Sequence, residues 1–380
     1  MQFEQLKEDI KQHAKEIGID KIGFTTADVF TSLKQRLIDH ERLNYSSGFE
    51  KGTVEERTEP RRLFPEAQSI ISIAIAYPSK IKNPPKNKKD AYRGIFCRAS
   101  WGEDYHHVLR DRLQQLANYI GNRVADFNYK IMVDTGELSD RSVAERAGIG
   151  FIGKNTLLIT EEYGSFVYLG EMITNIPFAE DERVEDGCGD CNICRTACPT
   201  GALVGERTLN AQMCLAYQTQ TKQMLPDMFR SKIGTRIYGC DTCQAVCPKN
   251  KGIDFHVHEE FEPDGEVAKP LLKPMLTMSN RELKEKFGHV SGFWRGKNPL
   301  QRNAIIALAH FKDDTSIEVL IDIIKNDVRP VIRGTAAWAL GKIGTEEAEN
   351  ALKIALEKEK EAIVLEEIKK GLTLISEKSK

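Results

Sequence analysis

CGDCNICRTACPT, Cys188 to Thr200, decides how this chain is read. Four of the chain's nine cysteines fall within eleven residues here, and the last precedes a proline. Disulfides, zinc knuckles and iron–sulfur clusters all use cysteine, so spacing and compartment must separate them. The N-terminal stretch, MQFEQLKEDIKQHAKEIG, is polar and amphipathic and does not read as a secretory signal. The longest apolar run, SIISIAIAY (Ser69–Tyr77), is far shorter than the roughly 20 residues that span a bilayer. The expectation is a soluble, cytoplasmic protein, where thiols are held reduced and disulfides are disfavoured.

The spacing then chooses the metal. Cys188, Cys191, Cys194 and Cys198 follow C-x2-C-x2-C-x3-C-P, and Cys240, Cys243 and Cys247 follow C-x2-C-x3-C-P. The second run lacks its first thiol: Ile237 stands there, and Cys214 is the upstream candidate. This is the bacterial ferredoxin pattern with one ligand displaced. Two-residue gaps let a tight turn aim three thiolates at one cubane, and the cysteine after the x3 gap ligates the other cluster. One [4Fe–4S] cluster is therefore assigned to Cys188, Cys191, Cys194 and Cys247. The other takes Cys198, Cys214, Cys240 and Cys243. Zinc sites pair two C-x2-C knuckles and need no third cysteine at x2 or fourth before proline.

Working outward, 380 residues at 41% hydrophobic and 29% charged are enough for two or three domains. Residues 1–177 mix helix and strand, an α/β or α+β pattern. Phe3 to Ile17 reads as a helix, KIGFTT and SIISIAIAY as strands, and Asp104 to Ile120 as a helix. YKIMVDTG is a strand running into a turn. DRSVAERAG is a short helix capped by Asp140 and stopped by Gly148. NTLLIT and GSFVYLGEMIT read as a β-hairpin. Residues 178–254, rich in cysteine, glycine and proline, have too little periodic apolar sequence for a core and need a staple. A connector, 255–296, leads to a helical tail, 297–380. In the tail Ala307-Leu308 echoes Ala339-Leu340, and Leu320 echoes Leu352, both at an offset of 32. Tandem helix pairs of this kind are HEAT-like repeats.

An electron wire needs an acceptor, and the front domain offers few nicotinamide signals: no G-x-G-x-x-G joins a strand to a helix. Asp104-Tyr105-His106 begins like a corrinoid-ligating D-x-H-x-x-G but has Leu109 where glycine belongs, so His106 reads as a half-buried helical histidine. Asp134 sits at a strand end before Thr135-Gly136. It reads equally as a general acid or as a turn-capping aspartate. Cys97 reads as a small core residue, and Arg57 as a surface charge.

Together DYH, VDTGELSDRSVAERAGIGFIGKNTLLI, the double cysteine array, FWRGKNPLQRNA and the repeat tail resemble the epoxyqueuosine reductases. These are cobalamin-dependent iron–sulfur enzymes of tRNA queuosine synthesis. The resemblance spans nearly the whole chain. It implies a nitroreductase-like, cobalamin-binding front domain, with cobalamin base-off and without a protein histidine on cobalt. It implies electrons passing through both clusters to cobalamin, and epoxyqueuosine at the wobble position of a tRNA anticodon loop reduced to queuosine. It makes Asp134 the proton donor, which requires a protonated carboxyl, and places Arg57, Cys97, Leu158, Leu169 and the Cys240-Asp241-Thr242-Cys243 loop against the corrin. It implies an external electron donor of flavodoxin or ferredoxin type, and a monomer.

RNA phosphates need cations. Lys222, Arg230, Lys232 and Arg236 come from one stretch. Arg281, Arg295, Lys297 and Arg302 come from another, with Phe293 and Trp294 interleaved. Lys222, Arg281, Arg295, Lys297 and Arg302 are the expected tRNA contacts. The net charge of −2 implies modest, salt-sensitive affinity. The competing expectation is a reductive dehalogenase-like reductase of a small molecule. It shares the clusters and cobalamin but usually carries a twin-arginine signal and needs no basic repeat tail. A third is a non-catalytic electron carrier or scaffold.

Overall fold

A computed structural model describes residues 3–378. The chain forms two compact units. The first comprises residues 1–80, 102–214 and 241–262, and the second comprises 81–101, 215–240 and 263–380.

The first unit is built on the apolar run found in the sequence. After helix α1 (Glu4–Glu16) come strands β1 (Lys21–Thr26) and β2 (Ser69–Ala76). Helix α2 (Tyr105–Gly121), strand β3 (Tyr129–Met132), helix α3 (Asp140–Arg146) and strand β4 (Val167–Thr174) follow. The sheet order is β1-β2-β4-β3, and every pair is antiparallel. Every residue of β2 is buried, because both sheet faces are covered. Leu109 and Leu113 of α2 press on Gly170 from one side. From the other, α3 packs on β1, β2 and β4, and its Ala144 joins Ala74, Leu158 and Leu169 in one apolar cluster. A strand covered on both faces has no polar face to alternate with, so it reads as a continuous apolar run.

Helix α3 is held by Arg146, 8% exposed. Its guanidinium donates to Thr25 Oγ1 (3.0 Å), Thr26 O (2.6 Å) and Asp28 O (2.9 Å) and stacks on Phe30. Two sequence expectations are corrected here. Asp140 is not the cap of α3 but its first helical residue; Ser139 is the capping position. The expected hairpin does not form. Leu158–Ile159 turns back on Phe151–Ile152 through a tight turn in which Thr156 N–H donates to Gly153 O (2.9 Å). Strand β4 instead pairs with β2 and β3, and a single backbone bridge, Thr160 to Gly164, links the two segments among the described residues.

In the second unit the connector is itself helical. Leu272–Thr277 and Asn280–Phe287 bury Leu272, Met275, Leu283 and Phe287, and a Ser279/Glu282 capping box starts the latter. Five helices follow: α4 (Lys297–Phe311), α5 (Ile317–Asn326), α6 (Pro330–Ile343), α7 (Glu346–Lys358) and α8 (Ala362–Lys378). The offset of 32 is structural. Leu308 and Leu340 are both fully buried, as are Leu320 and Leu352. Lys312 after α4 and Gly344 after α6 both take the left-handed conformation that ends a helix.

Candidate functional site

Strand β3 delivers its chain into a three-residue turn. Thr135 N–H donates to Val133 O (2.5 Å) across Asp134, whose φ is +51°. That region is unfavourable for any residue with a Cβ and persists only where neighbours enforce it. Two do. Asp140 Oδ2 accepts the Asp134 N–H (2.8 Å), and Arg110 of α2 donates to Thr135 Oγ1 (2.9 Å). The Asp134 carboxylate is exposed, and its Oδ2 lies 3.3 Å from His106 Nε2. His106 Nδ1 lies 2.6 Å from Asp104 Oδ1, which also caps α2 by accepting the His106 N–H. Burial disfavours charge on His106, but the hydrogen bonds to Asp104 and Asp134 outweigh it and lift its pKa to about 9. His106 is thus half-buried in a helix, as the sequence suggested, and it also carries a proton next to Asp134. The sequence did not reveal that contact.

Arg57 is half-buried and its guanidinium makes no hydrogen bond among the described residues; burial lowers its pKa. Nε of Arg36 is buried without an acceptor among the described residues. Both act on Arg141 and on His40. In the same unit Leu158 and Leu169 are 3% and 9% exposed and pack with Ala74 and Ala144. Donors without acceptors suit the amide carbonyls that fringe a corrin. In the second unit Cys97 packs on Gly239. A Cβ there would lie 2.3 Å from Cys97 Sγ, and φ is +71°, so only glycine fits before Cys240.

No disulfide joins any of the nine cysteines. The first unit brings Cys188, Cys191, Cys194 and Cys247 together. Cys194 and Cys247 are pushed up by burial and by the neighbouring thiols of that same set. Lys154 N–H points at Cys188 Sγ (3.4 Å). Cys198, although half-buried, is pulled down by hydrogen-bond donors around it, including Ala202 N–H at 3.3 Å. The short helices Ile193–Ala197 and Thr242–Ala245 pack together, and each leads to a Cys-Pro step. Asp241 precedes the second of them, and Thr242 and Cys243 lie in it. Four converging free thiols fit a cubane cluster.

The expected RNA contacts divide. Lys222 and Arg281 are exposed, Trp294 is 53% exposed, and Arg295 stacks on Trp294. Lys297 is part-buried. Arg302 is corrected. It is 1% exposed, and its guanidinium is spent on Gln218 O, Thr221 O and Gln223 O at 2.7 Å each. It orders the 218–223 segment from inside. Arg230 is likewise buried, in a bidentate pair with Glu367. A cation's type gives no sign of its burial, and this is where the sequence reading failed.

A polar turn on an antiparallel sheet, a double cysteine array and a helical-repeat tail define a multidomain iron–sulfur oxidoreductase. Three family models match: Epoxyqueuosine reductase QueG, DUF1730, at residues 57–135; the 4Fe-4S double cluster binding domain at 187–250; and HEAT repeats at 297–373. The epoxyqueuosine reductase of Bacillus cereus is 60% identical over 378 residues, 100% of each chain. A crystal structure of epoxyqueuosine reductase with a tRNA-Tyr epoxyqueuosine-modified stem loop superposes with TM-score 0.96, at 61% identity, covering 98% of this chain and 99% of that one. The Bacillus subtilis enzyme "with the Asp134 catalytic loop swung out of the active site" superposes with TM-score 0.95, at 60% identity, covering 98% and 99%. The chain belongs to the epoxyqueuosine reductase family.

Proposed function

We propose that this protein reduces epoxyqueuosine to queuosine at the wobble position of tRNA, with Asp134 as proton donor. The observation that carries this is the Asp134 turn. An exposed carboxylate is held in a left-handed conformation at a strand end, against a histidine that bears a proton. The tRNA stem loop bound by a relative of 61% identity supports the substrate. An aspartate at the same number in the Bacillus subtilis enzyme supports the role.

Cys188, Cys191, Cys194 and Cys247 would hold one [4Fe–4S] cluster, and Cys198, Cys214, Cys240 and Cys243 the other. Arg57, Leu158 and Leu169 would face cobalamin. When bound, the clusters supply one-electron relays and cobalamin a strongly reducing cobalt centre, fed by an external flavodoxin or ferredoxin-type donor. Opening and removing the epoxide oxygen takes two electrons and two protons and releases water. Asp134 supplies a proton to the departing oxygen, and His106, hydrogen-bonded behind it, can restore that proton. Lys222, Arg281, Arg295 and Lys297 would meet phosphates, and Trp294 offers a stacking face.

The test uses anaerobically reconstituted protein, an anticodon stem loop carrying epoxyqueuosine, and a strong reductant, with and without cobalamin. Mass spectrometry of the RNA should show loss of one oxygen only with cobalamin. Intact RNA with clusters and cobalamin demonstrably loaded would overturn the reading.

A further inference from the structure

Glu171 stands in the middle of β4 and is fully buried; no donor group of the described residues reaches its carboxylate oxygens, and the Asp140 side chain lies within hydrogen-bond reach. Ser72 of β2, directly across the ladder, is equally buried, with its Oγ unpartnered among the described residues. Met132 of β3 is the opposite neighbour, two residues before Asp134. Helix α3 covers sheet strands here, and the side chain of that helix acting on Glu171 is Asp140. Burial, and then the nearby Asp140, push Glu171 well above the usual carboxylate range, so it is neutral. Burial, and then the charge of Asp134, raise Asp140 to about 6. A neutral acid thus lies behind a carboxylate, and that carboxylate accepts the Asp134 N–H (2.8 Å).

We propose that Asp140 is a positioning residue for Asp134: it latches the left-handed turn by accepting the Asp134 N–H, with the buried Glu171 behind it. The function of the latch rests on reading Asp134 as proton donor. The swung-out loop of the Bacillus subtilis relative shows that such a turn has a second position to be held against. Lowering the pH protonates Asp140, and its bond to Asp134 N–H loses the strength that charge gives it. The other groups bearing on this latch are Arg141 beside Asp140, His106 against Asp134, and Arg110 on Thr135.

The test compares the holoenzyme with its Asp140→Ala, Asp140→Asn and Glu171→Gln variants. Amide hydrogen exchange at residues 133–135 reports on the latch without turnover. In Asp140→Ala it should quicken about tenfold or more, with kcat falling about tenfold and KM changing less than about threefold. Wild-type kcat should fall below a pH of about 6, and Asp140→Asn should lose that limb. Glu171→Gln, neutral and of the same shape, should hold exchange at the wild-type rate. Unchanged exchange in both Asp140 variants, or an unchanged acid limb in Asp140→Asn, overturns the latch. Should Asp140→Ala not fold, the isosteric Asp140→Asn carries the test. Full activity of Asp134→Asn would sink the proton-donor reading alone, because the exchange arms do not depend on it.

Discussion

His106 owes its charge to two carboxylates, and one of them can be disarmed without disturbing the helix. Asparagine caps a helix about as well as aspartate. Asp104→Asn should therefore keep α2 and lose only the charged half of the 2.6 Å contact to His106 Nδ1. His106, held at about 9, should drop toward its ordinary 6.5 in an NMR titration of the ring. The stability sign follows from linkage. A folded-state pKa raised above the unfolded one adds stability that is full below about 6.5 and lost as pH rises through about 9. Asp104→Asn should thus cost about 1.5–3 kcal/mol at pH near 6 and little above pH 9, read from urea unfolding at both pH values. An equal cost at both would mean that Asp104 acts only as a cap. Turnover should follow: its alkaline limb should move to lower pH in the variant, because the proton behind Asp134 is lost sooner.

Helix α3 carries the latch, and its seat on the sheet depends on how closely the chain after it approaches β1. A Cβ on Gly23 would lie 2.0 Å from Ala147 O, a backbone atom that cannot swing aside. Gly23→Ala should cost about 3 kcal/mol by forcing the end of α3 away, seen as a lower midpoint in thermal unfolding. A wild-type midpoint would mean that the end of α3 yields freely. At this scale much was legible in the sequence. SIISIAIA announced the central strand, and the repeat offset announced equivalent core leucines. The cysteine spacing announced that Cys247 would join Cys188, Cys191 and Cys194. What failed was short or non-local. Strands of two residues, Phe151–Ile152 and Leu158–Ile159, carry no readable period, although Gly153-Lys154-Asn155-Thr156 between them is a turn signal. Asp134 and His106 stand 28 residues apart, and Asp140 was read as a cap because its partner is a backbone N–H before the helix. Glu171 left one clue, a lone charged residue in the strand VYLGEMIT.

Across the molecule, a net charge of −2 leaves RNA binding to local cations. Those in the second unit fall into two physical kinds. Lys222 and Arg281 are exposed and can replace counterions at a phosphate. Arg302 cannot. Burial lowers its pKa to about 9, and its fork ties Gln218, Thr221 and Gln223 together while Asn303 holds Thr219 O and Ile237 O. The same segment accepts from Trp294 Nε1 at Gln220 Oε1 (2.9 Å) and from Arg295 Nε at Gln220 O (3.1 Å). Losing Arg302 should therefore loosen the segment that presents Lys222 and Trp294. Arg302→Lys keeps the charge but not the planar fork. It should lower the unfolding midpoint and weaken stem-loop binding about tenfold, with the dependence of log Kd on log salt unchanged. Lys222→Ala should leave the midpoint alone and reduce that slope by about 0.7 to 0.9, the loss of one phosphate contact. Fluorescence anisotropy of a labelled stem loop over a salt series separates the two. An equal loss of slope in Arg302→Lys would mean that its guanidinium reaches RNA after all, and that the 218–223 segment opens on binding.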